Sequence, residues 1–287
     1  MPGGFGQRID GYVSLMTGST KFANPIADGD PESIEVTDTQ MSKLKKMNLG
    51  AGALHLTSGV LMTVLATSFT LPITTFNLNG PPGTPVEEGT LSTLVDVELV
   101  PLTAGFVFLS AFFHFLIATV GFSKYGDELR HGRNRFRWVE YSLSSTLMII
   151  TIALITGITD LGAHIALAFA NISMILFGWI MEMVNRKGEP TWWTPFWFGC
   201  IAGIGPWAAL GAYLFTGEGT APTFVYIIIA TIFVFFNTFA INQWLQYGEI
   251  GKWSDYLVGE RTYIILSFVA KTALAWQLYA NVFIPTD

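Results

Sequence analysis

Lys271 is the residue of this sequence whose type and setting most clearly call for chemistry. It sits in Ile264-Ile-Leu-Ser-Phe-Val-Ala-Lys271-Thr-Ala-Leu-Ala-Trp276, with no other charge between Arg261 and Asp287. Read as a helix, the run places Lys271 roughly 15 Å beyond Arg261. An ammonium at that depth in lipid costs about 2.5–3.5 kcal/mol or more, and its stem is too short to reach either surface. A carboxylate partner is therefore expected. Glu140, in Phe136-Arg-Trp-Val-Glu140-Tyr-Ser-Leu-Ser144, is the only carboxylate well inside its own apolar segment. Helical side chains lean toward their N-terminus, so Lys271 reaches back toward the shallower Glu140 across a depth difference of about 10 Å. Two readings of the pair stay open. It is a structural or transport ion pair, or it is an amine that condenses with an aldehyde, leaving a cationic imine beside its counterion. Ser267, one turn before Lys271, and Ser144, one turn after Glu140, can bond within the same site or to their own backbone.

The other polar residues in apolar surroundings carry weaker signals. His55 and His114 each read first as hydrogen-bonded packing residues, and no Cys, Asp or further His shares their faces to make a metal site. Asn171 and Asn237 read as hydrogen-bonders between helices. Trp138, Met174, Trp207 and Phe236 read as core. The one cysteine, Cys200, excludes a disulfide framework.

The elements that position these residues are membrane spans. The chain is 51% hydrophobic and only 13% charged, about half the charged share of a soluble domain, and its mean hydropathy is +0.47. Seven segments have the roughly 20 apolar residues a span needs: 48–69, 99–123, 136–157, 160–184, 194–216, 222–247 and 256–283. The fold class is thus an all-α membrane bundle of seven helices, residues 43–287, behind a mobile polar tail, 1–42. The tail's first 20 residues lack the apolar region of a signal peptide, so the first span serves for targeting. The one long connection, 70–98, holds Asn79-Gly80-Pro81-Pro82-Gly83 between two β-prone runs, Ile73 to Leu78 and Thr90 to Val95. It reads as a short hairpin outside the membrane or as an irregular loop.

Charge gives the orientation. Arg8, Lys21, Lys43, Lys45 and Lys46 precede the first span, and Lys124, Arg130, Arg133, Arg135 and Arg137 lie between the second and third. Arg186 and Lys187 follow the fourth, and Lys252 and Arg261 flank the start of the seventh. All fourteen fall on one side, whereas the opposite loops carry acids such as Glu87, Glu88, Asp96, Glu98, Asp160 and Glu218. Positive loops stay in the cytoplasm, so a cytoplasmic N-terminus and an extracellular C-terminus are expected in a multi-pass cell-membrane protein. The 124–137 loop is the obvious cytoplasmic contact surface, although positive-inside topology alone accounts for its charge.

Seven spans with a lysine midway along the last resemble microbial-type rhodopsins. The strings Phe136-Arg-Trp-Val-Glu-Tyr-Ser-Leu-Ser-Ser145, Ser173-Met-Ile-Leu-Phe-Gly-Trp179, Phe196-Trp-Phe-Gly-Cys-Ile-Ala-Gly203 and Val269-Ala-Lys-Thr-Ala-Leu-Ala-Trp276 resemble the heliorhodopsins in particular. So do Leu78-Asn-Gly-Pro-Pro-Gly-Thr84, Gly251-Lys-Trp-Ser254 and Gly259-Glu-Arg261, and the likeness spans 48–285. The resemblance implies all-trans-retinal on Lys271 as a Schiff base, Glu140 as counterion, an inverted topology, a homodimer and an extracellular hairpin. It also implies that Trp138, Met174, Trp207 and Phe236 surround the polyene. His55 and His114 then belong to a cytoplasmic polar cavity that can hold a released proton. Pump-type rhodopsins place key groups at i, i+4 and i+11 on the third helix. Here those positions read Glu140, Ser144 and Thr151, so the donor carboxylate is missing. The expectation is a non-pumping light sensor, not an enzyme, in contact with retinal, lipid and an unidentified cytoplasmic partner, with no role for nucleic acid. The alternatives are a light-activated transporter or channel, and a light-insensitive helical scaffold.

Overall fold

A computed structural model describes residues 34–187, 189–216 and 219–284. The expectations for Arg8, Lys21, Glu218 and the first 33 residues of the tail lie outside the described residues. Among the described residues, seven helices are long and apolar enough to cross a membrane: α1 (Asp38–Leu65), α2 (Leu99–Ala118), α4 (Arg135–Thr156), α5 (Leu161–Val184), α6 (Thr194–Phe215), α7 (Thr223–Tyr247) and α8 (Tyr256–Leu278). The last continues as a wider π turn over Tyr279–Phe283. A further short helix, α3 (Phe122–Arg130), joins α2 to α4.

The ends follow from local chemistry. Helix α1 starts ten residues before the expected span and within the stretch read as polar tail. Thr37 and Gln40 form a capping box there: the Gln40 N–H donates to Thr37 Oγ1 at 3.3 Å and the Thr37 N–H to Gln40 Oε1 at 2.9 Å. Asn134 caps α4 by accepting from the Arg137 N–H at 3.1 Å, and Asp160 caps α5 by accepting from Ala163 N–H at 2.8 Å. Gly157 closes α4 in the left-handed region, at φ 94°, which a glycine adopts without steric cost.

Strands β1 (Thr70–Asn77) and β2 (Thr90–Glu98) pair antiparallel, as the hairpin reading expects, with an irregularity between Ile73 and Thr74. The Thr74 N–H donates to the Thr159 carbonyl at 2.8 Å, which docks the hairpin on the turn between α4 and α5. Neighbouring helices pack in sequence, α8 closes the ring against α1, and α4 runs inside it, touching α2, α5, α6 and α7. Outward faces expose large apolar side chains such as Leu54, Phe169, Ile201, Ile227 and Val234, the surface that lipid solvates.

Candidate functional site

Lys271 and Glu140 meet. The Lys271 ammonium donates to Glu140 Oε1 at 2.8 Å and to Ser267 Oγ at 2.7 Å. Both charged side chains are buried, Lys271 at 3% exposure. The meeting follows from topology: α4 and α8 point the same way, and the lysine folds back toward its own N-terminus. Ser110 of α2, which carries no signal in the sequence, donates to the same Glu140 oxygen at 2.6 Å. The ring of Tyr141 lies under the ammonium at 5.1 Å. Ser144 bonds neither charged group; its Oγ is buried without a partner among the described residues.

From Lys271 a cavity of about 570 Å³ runs into the bundle, and Ser144, Ser267, Trp138, Met174, Trp207 and Phe236 all line it. Its walls depend on missing side chains. A Cβ on Gly178 would stand 2.5 Å from the Trp138 ring, and one on Gly203 would stand 2.7 Å from Met174 Sδ. Asn171 does bond between helices, donating to Ser145 Oγ at 2.8 Å and Thr146 Oγ1 at 2.9 Å. Asn237 does not. Its amide donates to the Phe233 carbonyl one turn earlier in its own helix at 2.8 Å.

His55 and His114 stack, with ring centroids 5.6 Å apart and planes 15° from parallel. His114 Nδ1 bonds Asn48 Oδ1 at 2.7 Å, whereas neither ring nitrogen of His55 has a hydrogen-bond partner among the described residues. A second, small cavity of about 30 Å³ is lined by Asn48, Ser110, His114, Glu140, Arg137 and Glu260, among others.

One buried cluster escaped the sequence reading. Arg137, counted there as a loop cation, is buried and bonds the carboxylates of both Glu182 and Glu260. The Trp138 indole N–H and the Asn134 backbone N–H donate to Glu182 Oε2, and the Tyr256 hydroxyl donates to its Oε1. Asn134 Nδ2 donates to Glu260 Oε1 at 2.8 Å. From α3, the Tyr125 hydroxyl donates to the same oxygen at 2.9 Å. Burial, and then the charge of Glu260, hold the Tyr125 phenol well above its usual pKa. The 124–137 stretch is therefore not an open basic loop. Helix α3 buries Tyr125 and Leu129 and leaves Lys124, Asp127 and Arg130 outward. The available signal was a Tyr125-x-x-x-Leu129 spacing followed by an arginine directly beside a tryptophan, together with carboxylates near the ends of two other spans.

Seven spanning helices around an apolar cavity that starts at a buried lysine define the architecture of microbial rhodopsins. Solved structures agree on the fold. A light-driven proton pump from Leptosphaeria maculans has a TM-score of 0.58 at 16% identity, covering 86% of this chain and 96% of that one. Xanthorhodopsin, a light-driven ion pump with dual chromophore, has a TM-score of 0.59 at 16% identity, covering 87% and 95%. Cyanorhodopsin from Tolypothrix sp. has a TM-score of 0.58 at 13% identity, covering 86% and 96%. No curated protein sequence matches the chain. The sequence model of the heliorhodopsin family matches residues 44–283, and the chain belongs to that family. It is a multi-pass, retinal-binding, light-responsive membrane protein, and the family is not a classical enzyme family.

Proposed function

We propose that this heliorhodopsin is a non-pumping photoreceptor in which Lys271 carries all-trans-retinal, Glu140 is the counterion and the photochemical signal is read at the cytoplasmic face. The observation that carries the reading is the Lys271–Glu140 contact of 2.8 Å at the end of the 570 Å³ cavity. Lys271 is the only buried lysine among the described residues. The site fits the group the family implies. The volume lies within the range of roughly 300–1,000 Å³ typical of small-molecule pockets, the walls are mostly aromatic and aliphatic, and the glycines leave the breadth a flat polyene needs. Bound there, retinal would supply visible absorption and a double bond that isomerises in light.

The chain's own residues do the rest. Trp138, Met174, Trp207 and Phe236 hold the polyene and exclude water. Glu140, fixed by Ser110, stabilises positive charge on the Lys271 nitrogen, and Ser267 orients that nitrogen. His55 and His114 hold the proton that leaves it.

The absence of net transport is supported by where the acids lie. Among the described residues the buried carboxylates are Glu128, Glu140, Glu182 and Glu260. All sit on α3, at the α3-facing starts of α4 and α8, or at the end of α5 that meets them. In the other half, Thr151 stands where a pump's donor would, and its hydroxyl bonds the Leu147 carbonyl. The charge count supports a cytoplasmic N-terminus, and a homodimer in the membrane completes the reading.

The test is reconstitution with all-trans-retinal. A visible band that disappears in Lys271→Ala is expected, with no light-induced pH change in liposomes. A protonophore-sensitive pH change on illumination overturns the non-pumping reading, and a band that survives Lys271→Ala overturns the attachment site.

A further inference from the structure

We infer that Asn48 is a positioning residue that fixes His114 as the Nδ1–H tautomer, which makes His114 Nε2, and no atom of His55, the place where the stacked pair takes a proton. The inference rests on the proton-holding role proposed above for the pair.

The argument begins at Asn48, buried one helical turn after Leu44. Asn48 Nδ2 lies 2.9 Å from the Leu44 carbonyl oxygen. A carbonyl only accepts, so the NH₂ end of the amide must face it. The oxygen end is then turned to His114 Nδ1, at 2.7 Å. An amide oxygen also only accepts, so Nδ1 carries the hydrogen. Neutral imidazole has one N–H, and Nε2 is left with its lone pair. A proton arriving at His114 therefore binds Nε2, and the existing Nδ1–H···Oδ1 bond becomes charge-assisted, which roughly doubles its strength.

His55 has no comparable support. It is fully buried, at 0% exposure, with neither nitrogen bonded. One face stacks on His114 and its ring meets Phe268 edge-on at 5.3 Å. An imidazolium there would bury two N–H donors with no protein acceptor among the described residues. Two stacked imidazolium rings at 5.6 Å would also repel, so the pair binds one proton. The charged groups around His114 are His55 from α1, Glu140 and Arg137 from α4, and Lys271 and Glu260 from α8. His114 shares its small cavity with Glu140, Ser110 and Ser267. Its volume of about 30 Å³ suffices for one or two waters, so a proton leaving the Lys271 nitrogen has a short polar route to Nε2.

The measurement is solid-state NMR of the full chain, retinal-loaded and in lipid, with ¹⁵N- and ¹³C-labelled histidine and His114 assigned by the loss of its signals in His114→Phe. In the dark, His114 should show a protonated Nδ1 and a bare Nε2. Asn48→Leu should lose that preference, whereas Asn48→Asp, which keeps an acceptor, should retain the Nδ1–H. A dark His114 with the hydrogen on Nε2, or a tautomer unchanged in Asn48→Leu, overturns the inference; wild type and Asn48→Asp decide it if Asn48→Leu does not fold. In samples trapped under illumination, imidazolium should appear on His114, and Asn48→Leu should lower its population roughly tenfold, as expected for loss of a hydrogen bond to a charged group. Imidazolium on His55 overturns the inference. The dark tautomer is read without light, so no imidazolium on either ring, with the tautomer as assigned, refutes the proton-holding role and leaves the Asn48 bond standing.

Discussion

Arg137 offers the most demanding test of how this bundle is held together. It is buried beside two carboxylates from two other helices, Glu182 of α5 and Glu260 of α8. Arg137→Met replaces the guanidinium with an apolar chain of similar reach. Both carboxylates then stay buried with their neutral donors but without the cation that bridges them. Breaking a buried ion pair by removing one partner costs about 3–5 kcal/mol, because the remaining charge is desolvated and uncompensated. In a chain of this size each kcal/mol corresponds to roughly 2–4 °C in Tm, so the variant should unfold about 6–20 °C below wild type. The assay is thermal unfolding of the full chain in detergent, followed by near-ultraviolet circular dichroism. A second variant locates the cost. Arg137→Met combined with Glu182→Gln and Glu260→Gln removes the stranded charges and should recover at least half of the loss. A single-variant shift below about 3 °C refutes the reasoning, and so does a combined variant no more stable than Arg137→Met alone.

Glu140→Gln in the retinal-loaded protein should move the visible band strongly to longer wavelength, and an unchanged spectrum would mean that another group neutralises the Lys271 nitrogen. Gly178→Ala should cost about 1–3 kcal/mol, because its Cβ would meet a Trp138 ring pinned by its own bond to Glu182. Gly203→Ala should cost less, since it meets the flexible end of Met174; equal losses in Tm would contradict this account. Tyr125→Phe should cost roughly 1.5–3 kcal/mol through the lost bond to the Glu260 carboxylate. Its pH dependence has a definite sign. Folding raises the Tyr125 pKa, so the associated stability is full below the unfolded value of about 10 and falls as pH rises beyond it, while the unfolded chain ionises and the folded one does not. The wild-type minus Tyr125→Phe difference in Tm should therefore shrink above about pH 10, and a difference that grows there would reverse the assignment.

Much of the site was legible because lipid makes polar residues conspicuous. Lys271 and Glu140 stand out as charges inside apolar runs, and a positive-inside count with the backward lean of helical side chains is enough to pair them. The cavity residues Trp138, Met174, Trp207 and Phe236 could be named only through family resemblance, since an aromatic in a span has no local signature of facing a pocket. Ser110 was invisible for a related reason. A serine in a helix bonds its own backbone by default, and only the packing of α2 on α4 brings it to Glu140. The Arg137 cluster was hidden by the counting rule itself, which assigns every cation near a span end to water. Helix α1 began early because Thr37 and Gln40 form a cap whose residues, taken by composition, read as tail.

The two polar centres of the bundle have different capacities for a proton, and their hydrogen bonds decide which can take one. In the Arg137 cluster every carboxylate oxygen already receives a donor. Glu182 Oε1 accepts from Arg137 and Tyr256, and its Oε2 from Trp138 and the Asn134 backbone. Glu260 Oε1 accepts from Tyr125 and Asn134, and its Oε2 from Arg137. A proton arriving on Glu182 would have to displace a donor that then lies buried and unpaired, at a cost of about 1–3 kcal/mol, and the open lone pair of Glu260 lies on Oε2, directly against the Arg137 guanidinium. Glu140 is differently placed: Lys271 and Ser110 both donate to one oxygen, Oε1. His114 keeps a lone pair on Nε2 while Asn48 holds Nδ1. A proton released near Lys271 therefore goes to Glu140 or His114, and the arginine cluster keeps its charge state through illumination. Light-minus-dark infrared spectra should show no carboxylic-acid C=O band that is lost in Glu182→Gln or Glu260→Gln. A band that vanishes in either variant and persists in Glu140→Gln would place the proton in the cluster and refute this division.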